Sequence, residues 1–174
     1  WFETRLEAGC RLSASRHDLG SYYKWPLALA ACGRTELARQ VLDVIVDDFM
    51  TVDGDFRSGD EKSGDPIYGL IADTYTNTWP IIAARVLERS DVAEAGLECL
   101  RRRHAPLTGG YLTGSPGQHA DGRQDIVTIA GCGNAFLASG HSREAIDAGV
   151  CLLNILKAQE GPADPFCFYI DRDG

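Results

Sequence analysis

Apolar residues recur along this chain with a helical period of about 3.6. Leu37, Val41, Leu42, Ile45 and Phe49 form one stripe. Val92, Ala95, Leu97 and Leu100 form a second, and Ala145, Ala148, Val150, Leu152, Leu153 and Leu156 a third. Arg39, Asp43, Asp47, Glu94, Glu98 and Lys157 fill the opposite faces. The pattern predicts amphipathic helices over 35–50, 90–104 and 142–158, each with one face on the core and one toward solvent. Thr35, Ser90 and Ser142 stand at their starts as candidate N-caps.

A second kind of segment precedes each stripe. Residues 20–32, 74–88 and 125–139 carry few charges and many aromatic or small side chains, as in Tyr22-Tyr23-Lys24-Trp25-Pro26 and Tyr75-Thr76-Asn77-Thr78-Trp79-Pro80. A helix with little charge on any side belongs in the interior. Pro26 and Pro80 are expected to start or kink these helices near their first turns. Gly33 and Gly140 are placed to end them as C′ residues.

The two kinds of helix alternate in a repeat of about 55 residues. Gly33-Arg34-Thr35-Glu36, Glu88-Arg89-Ser90-Asp91 and Gly140-His141-Ser142-Arg143 align at the hairpin turns. Trp25-Pro26 answers Trp79-Pro80, and Asp53-Gly54-Asp55-Phe56 answers Gly109-Gly110-Tyr111-Leu112, with Phe168-Tyr169 opening a further copy. The organisation is a single all-α domain over 1–174 built from repeated antiparallel helical hairpins at 18–56, 73–111 and 125–169. Long loops near 51–72 and 105–124 join the pairs, and Phe56 and Tyr111 each follow a Gly turn that suits a short β-hairpin.

Composition narrows the partners. The formal net charge of −8 disfavours nucleic acid and anionic membrane surfaces. Arg101-Arg102-Arg103-His104 is the one basic cluster, and at a predicted helix C-terminus it complements the macrodipole. No apolar run is long enough to suggest a membrane span. The six cysteines show no C-x-x-C or zinc spacing. They read mainly as small core residues of a reducing, cytoplasmic setting, and no metal or cofactor is expected. The acidic loop 53–61 lacks the ligand spacing of a calcium loop and reads as a tight turn with solvated charges.

The inner–outer alternation, the Gly-aromatic loops and the Gly33-Arg34 turn resemble the α/α toroid superfamily. That superfamily includes terpenoid cyclases, protein prenyltransferases and six-hairpin carbohydrate enzymes. The resemblance implies a partial toroid with inner and outer helix rings around a cavity. A complete ring has about six hairpins, so this chain reads as a fragment or as a half ring closed by a second copy or a missing second half. The Asp-x-Asp-Asp acid motif of class II terpenoid cyclases is absent; the nearest string, Asp43 to Asp48, has a different spacing.

Within that frame the implied function is an enzyme performing acid–base isomerisation, cyclisation or elimination on a small, partly apolar molecule. A carbohydrate epimerase or hydrolase, with Trp25 and Trp79 as sugar platforms, is the alternative. A non-enzymatic binding scaffold is a third. Asp18, Asp73 and Asp125 lie at one common offset before the three hairpin turns. They are either catalytic carboxylates on one rim or repeated helix caps. Tyr75 and His17 are further acid–base candidates, and Tyr22, Tyr23, Tyr68 and Asn77 offer hydroxyls and an amide for binding. Trp25 and Trp79 either line a cavity or pack between hairpins. Cys132, between Gly131 and Gly133, is either a cavity-facing thiol or a small residue at a close helix contact.

Overall fold

The computed structural model describes residues 6–14, 17–59, 73–114, 122–158 and 168–171. Its helices are α1 (Leu19–Tyr22), α2 (Trp25–Ala31), α3 (Thr35–Phe49), α4 (Asp73–Val86), α5 (Ser90–Arg101), α6 (Ile126–Ala138) and α7 (Ser142–Lys157). Short strands β1 (His104–Ala105) and β2 (Gly110–Tyr111) pair antiparallel, as do β3 (Gln124–Asp125) and β4 (Tyr169–Ile170). An isolated bridge joins Met50 to Phe56. The protein is thus mostly helical with small two-stranded sheets, and the two Gly-aromatic loops do form tight β-turnbacks.

Consecutive helices pack as hairpins, α2 with α3, α4 with α5 and α6 with α7, and α4 lies between α2 and α6. The core between them includes Leu42, Ile45, Phe56, Ile81, Leu97, Leu100, Ile129 and Phe136, all fully buried. The hairpin turns share one geometry. Arg34 N–H donates to Leu29 C=O at 2.9 Å, Arg89 to Ala84 at 2.8 Å and His141 to Phe136 at 2.9 Å. Each is the long bond of a Schellman motif, which satisfies carbonyls left over at a helix end. The C′ residue must then take positive φ, and Gly33 (75°), Glu88 (64°) and Gly140 (82°) do so. Only the middle turn asks this of a residue with a side chain.

This turn corrects the expected caps. Arg34, Arg89 and His141 stand at the N-cap positions without capping through their side chains, and Thr35, Ser90 and Ser142 are already helical. The Schellman bond leaves the chain at the next helix one residue early. The helix expected over 20–32 is divided at Tyr23 and Lys24. In an unbroken helix the Pro26 ring would meet the Tyr22 carbonyl, so the chain restarts with Pro26 in the first turn of α2. Pro80, expected near a first turn, lies instead in the middle of α4.

The outer-type helices differ. α3 and α5 bury their apolar stripes, whereas α7 exposes Ile146, Val150, Leu153 and Leu156 along one side. Phe168 is exposed as well and Leu152 is half-buried, while Phe166 lies outside the described residues. Cys99, Cys132 and Cys151 are buried as expected; Cys32 is exposed at the end of α2, and Cys167 lies outside the described residues. Among the described residues no helix is long and apolar enough to cross a membrane.

Candidate functional site

Three interior-type helices converge on one groove of about 730 Å³. Helix α4 contributes Tyr75, Thr78, Trp79 and Ile82, spaced so that they share a single helix face. Helix α6 contributes Ile126, Ala130, Asn134 and Ala138 at four-residue steps, with Val127 and Leu137 beside them, and α2 contributes Leu27. No charged side chain lines the groove among the described residues. At Gly131 α6 packs tightly on α4: a Cβ there would stand 3.0 Å from Thr78 Oγ1 and 3.2 Å from the Tyr75 ring. Its role is helix packing beneath the groove.

Tyr75 and Trp79 of this wall form an aromatic cluster with Tyr23. Their centroids lie 6.2–6.5 Å apart and each pair meets edge to face, the arrangement ring quadrupoles favour. The break between α1 and α2 delivers Lys24 to the same cluster. Its ammonium lies 5.0 Å from the Trp79 centroid, 5.2 Å from Tyr23 and 5.9 Å from Tyr75. Burial pushes the Tyr23 hydroxyl above its ordinary pKa, and Lys24 pulls it the other way. Trp79 Nε1 is buried and has no hydrogen-bond partner among the described residues.

A different chemistry occupies the interior. Arg103, expected at a helix C-terminus as a complement to the macrodipole, is buried between two carboxylates. Its Nη2 is 3.0 Å from Asp55 and its Nη1 is 3.2 Å from Asp73. Nη1 also donates to Thr74 Oγ1 at 2.8 Å. Asn77 Nδ2 donates to Asp55 at 2.7 Å. Burial works against the Arg103 charge, yet Asp55 and Asp73 hold its pKa above the ordinary value. Asp55 was expected in a turn of solvated charges; β-bridge formation at Phe56 instead draws it inside to this cation.

The network continues to α6. Thr74 N–H donates to Thr113 C=O at 3.1 Å, and Thr113 Oγ1 donates to Asp125 at 3.1 Å. Asp125 is the N-cap of α6 and accepts from Thr128 N–H at 2.7 Å and Thr128 Oγ1 at 2.5 Å. Asp73 and Asp125 are therefore brought to one end of the helix layer, joined through Thr74 and Thr113. Asp18 caps α1 by accepting from Ser21 N–H at 3.0 Å and is joined to neither by a described bond. None of the three aspartates lines the groove.

The remaining nominated residues separate. Tyr22 is fully buried; its hydroxyl accepts from Leu12 N–H and lies 3.0 Å from His17 Nδ1. His17 Nε2 is 3.2 Å from Asp48, which Arg11 also holds through two bonds. The Arg11 hydrogen bonds place the Asp48 pKa below its ordinary value. Trp25 is half-buried at the start of α2, packed on the core. Cys132 is fully enclosed, and burial pushes its thiol far up, so it stays neutral at physiological pH. Tyr68 lies outside the described residues. Among the described residues there is no cluster of metal-ligating side chains.

Of the nominated residues, then, the acid–base candidate Tyr75 and the binding candidate Trp79 line the groove, with Tyr23 packed against both rings, while Asn77 serves the ion-pair network. Leu27, Thr78, Ile82, Ala130 and Asn134 also line the groove and were not singled out as site residues. Their signal was present, because 75, 78, 79 and 82 fall on one helical face. Comparison with protein-family models, curated proteins and solved structures finds no match for this chain.

Proposed function

We propose that the groove between α2, α4 and α6 is the ligand cleft of an α/α toroid-type enzyme acting on a small, largely apolar molecule by isomerisation, cyclisation or elimination. The observation that carries this reading is the lining. Three charge-poor helices present aliphatic side chains and an aromatic wall to one shared space of about 730 Å³, within the range of small-molecule clefts. Tyr75, Thr78 and Asn134 supply a few polar groups to orient a ligand. A sugar would need a denser array of carboxylates and amides, which favours the apolar substrate over the carbohydrate alternative.

In this reading the roles divide within α4. Tyr75 is the proton-transfer candidate, because its phenol belongs to a groove-lining side chain. Asp73 and Asp125 stabilise the starts of α4 and α6 and take no part in the groove lining. The test is a fluorescence titration with N-phenyl-1-naphthylamine, a neutral apolar probe. Wild type is expected to enhance and saturate the emission, and Ala130→Trp, which fills the groove from α6, is expected to abolish it. Unsaturable emission in wild type, or undiminished binding by a folded Ala130→Trp, overturns the reading.

A further inference from the structure

Lys24 places its ammonium against the aromatic wall of the groove. The chain has 25 acidic residues, yet among the described residues no carboxylate pairs with this ammonium. Three rings hold it instead, and two of them, Tyr75 and Trp79, line the groove. Cation–π contact fixes the ammonium without neutralising it. Lys24 remains exposed, so it stays open to an incoming anion. The groove itself carries no charge among its described lining residues. One fixed positive charge beside an uncharged apolar groove complements an amphipathic anion.

We infer that this cleft binds a molecule with a hydrocarbon body and a single carboxylate head, the head pairing with Lys24 and the body lying along Trp79, Ile82 and Ala130. The inference rests on the groove being a ligand site, as proposed above. A carboxylate fits better than a phosphate ester. Phosphate recognition draws on guanidinium forks or clustered backbone N–H donors, whereas Lys24 is one compact point charge. Nor do the rings form a vacant cage for a ligand cation, since Lys24 already occupies them.

The experiment compares four probes of equal chain length below their micelle concentrations: decanoate, decanol, decylammonium and monodecyl phosphate. Each is titrated calorimetrically into wild type and Lys24→Gln. Decanoate is expected to bind wild type about tenfold more tightly than decanol, the scale of one hydrogen bond to a charged group. Lys24→Gln is expected to remove that advantage and leave decanol unchanged. Added salt is expected to weaken decanoate and not decanol. Tighter binding of decylammonium than of decanoate overturns the inference, because the rings would then be a cation site. Tighter binding of monodecyl phosphate overturns the carboxylate assignment. Equal binding of decanoate and decanol, unaffected by Lys24→Gln, overturns the inference while leaving the cleft standing. Binding of no probe removes the cleft and the inference together.

Discussion

Helix α4 carries two chemistries on interleaved positions. Asp73, Thr74 and Asn77 face a buried network centred on Arg103, while Tyr75, Thr78, Trp79 and Ile82 face an uncharged groove. The first set is where functional attention falls in the sequence, because acids and amides are the usual agents of catalysis. In the fold they are consumed by one another. Of the second set, Tyr75 and Trp79 draw attention in the sequence too, while Thr78 and Ile82 look like ordinary core; all four border open space. Polar residues whose hydrogen-bonding capacity is spent inside a protein specify its shape, and the space they leave open is defined by apolar neighbours.

The comparison breaks most visibly at Arg103. Arg103→Met leaves two carboxylates buried without their cation, and urea denaturation should show a loss of about 3–5 kcal/mol. The groove face should respond oppositely: Leu27→Trp, at its half-buried edge, is expected to weaken N-phenyl-1-naphthylamine binding at least about tenfold, with a stability change under about 1 kcal/mol. Asp125→Ala removes the side-chain cap of α6 and should cost about 1–2 kcal/mol in the same denaturation assay. It should not change probe affinity in the folded protein.

Two smaller effects sharpen the structural half. Glu88 holds positive φ at a Schellman C′ position that the sister turns give to glycine. Glu88→Gly should stabilise the protein by about 0.5 kcal/mol, the relief of a left-handed side chain less glycine's added entropy. Asp48 titrates below its ordinary range because Arg11 bonds to it. Its folded pKa is depressed, so its contribution is complete above about pH 4 and fades as pH falls through the lowered value. Asp48→Asn should therefore flatten the acid limb of a stability–pH curve and leave the neutral-to-alkaline region parallel to wild type.

The helical class, the hairpin pairing and the Gly-aromatic turnbacks were legible because they rest on local periodicity and turn chemistry. Gly33 and Gly140 gave the C′ positions directly. The caps were misplaced by one residue because the Schellman bond, a property of the preceding helix, decides where the next begins. Arg103 was illegible for a different reason. Its burial follows from Asp55, which is distant in sequence, and no local rule separates a helix-end arginine in water from one folded inward. Lys24 was visible only as a member of the aromatic segment Tyr22-Tyr23-Lys24-Trp25-Pro26, since its meaning depends on rings contributed by α4.

The most direct test of the two-faced α4 is one N-phenyl-1-naphthylamine titration series over wild type, Asp73→Asn and Ala130→Trp, with melting temperatures recorded on the same samples. The account expects Asp73→Asn to melt earlier and bind normally, and Ala130→Trp to melt near wild type and bind nothing. Loss of binding in a folded Asp73→Asn, with binding retained in Ala130→Trp, would contradict it and return the site to the carboxylates.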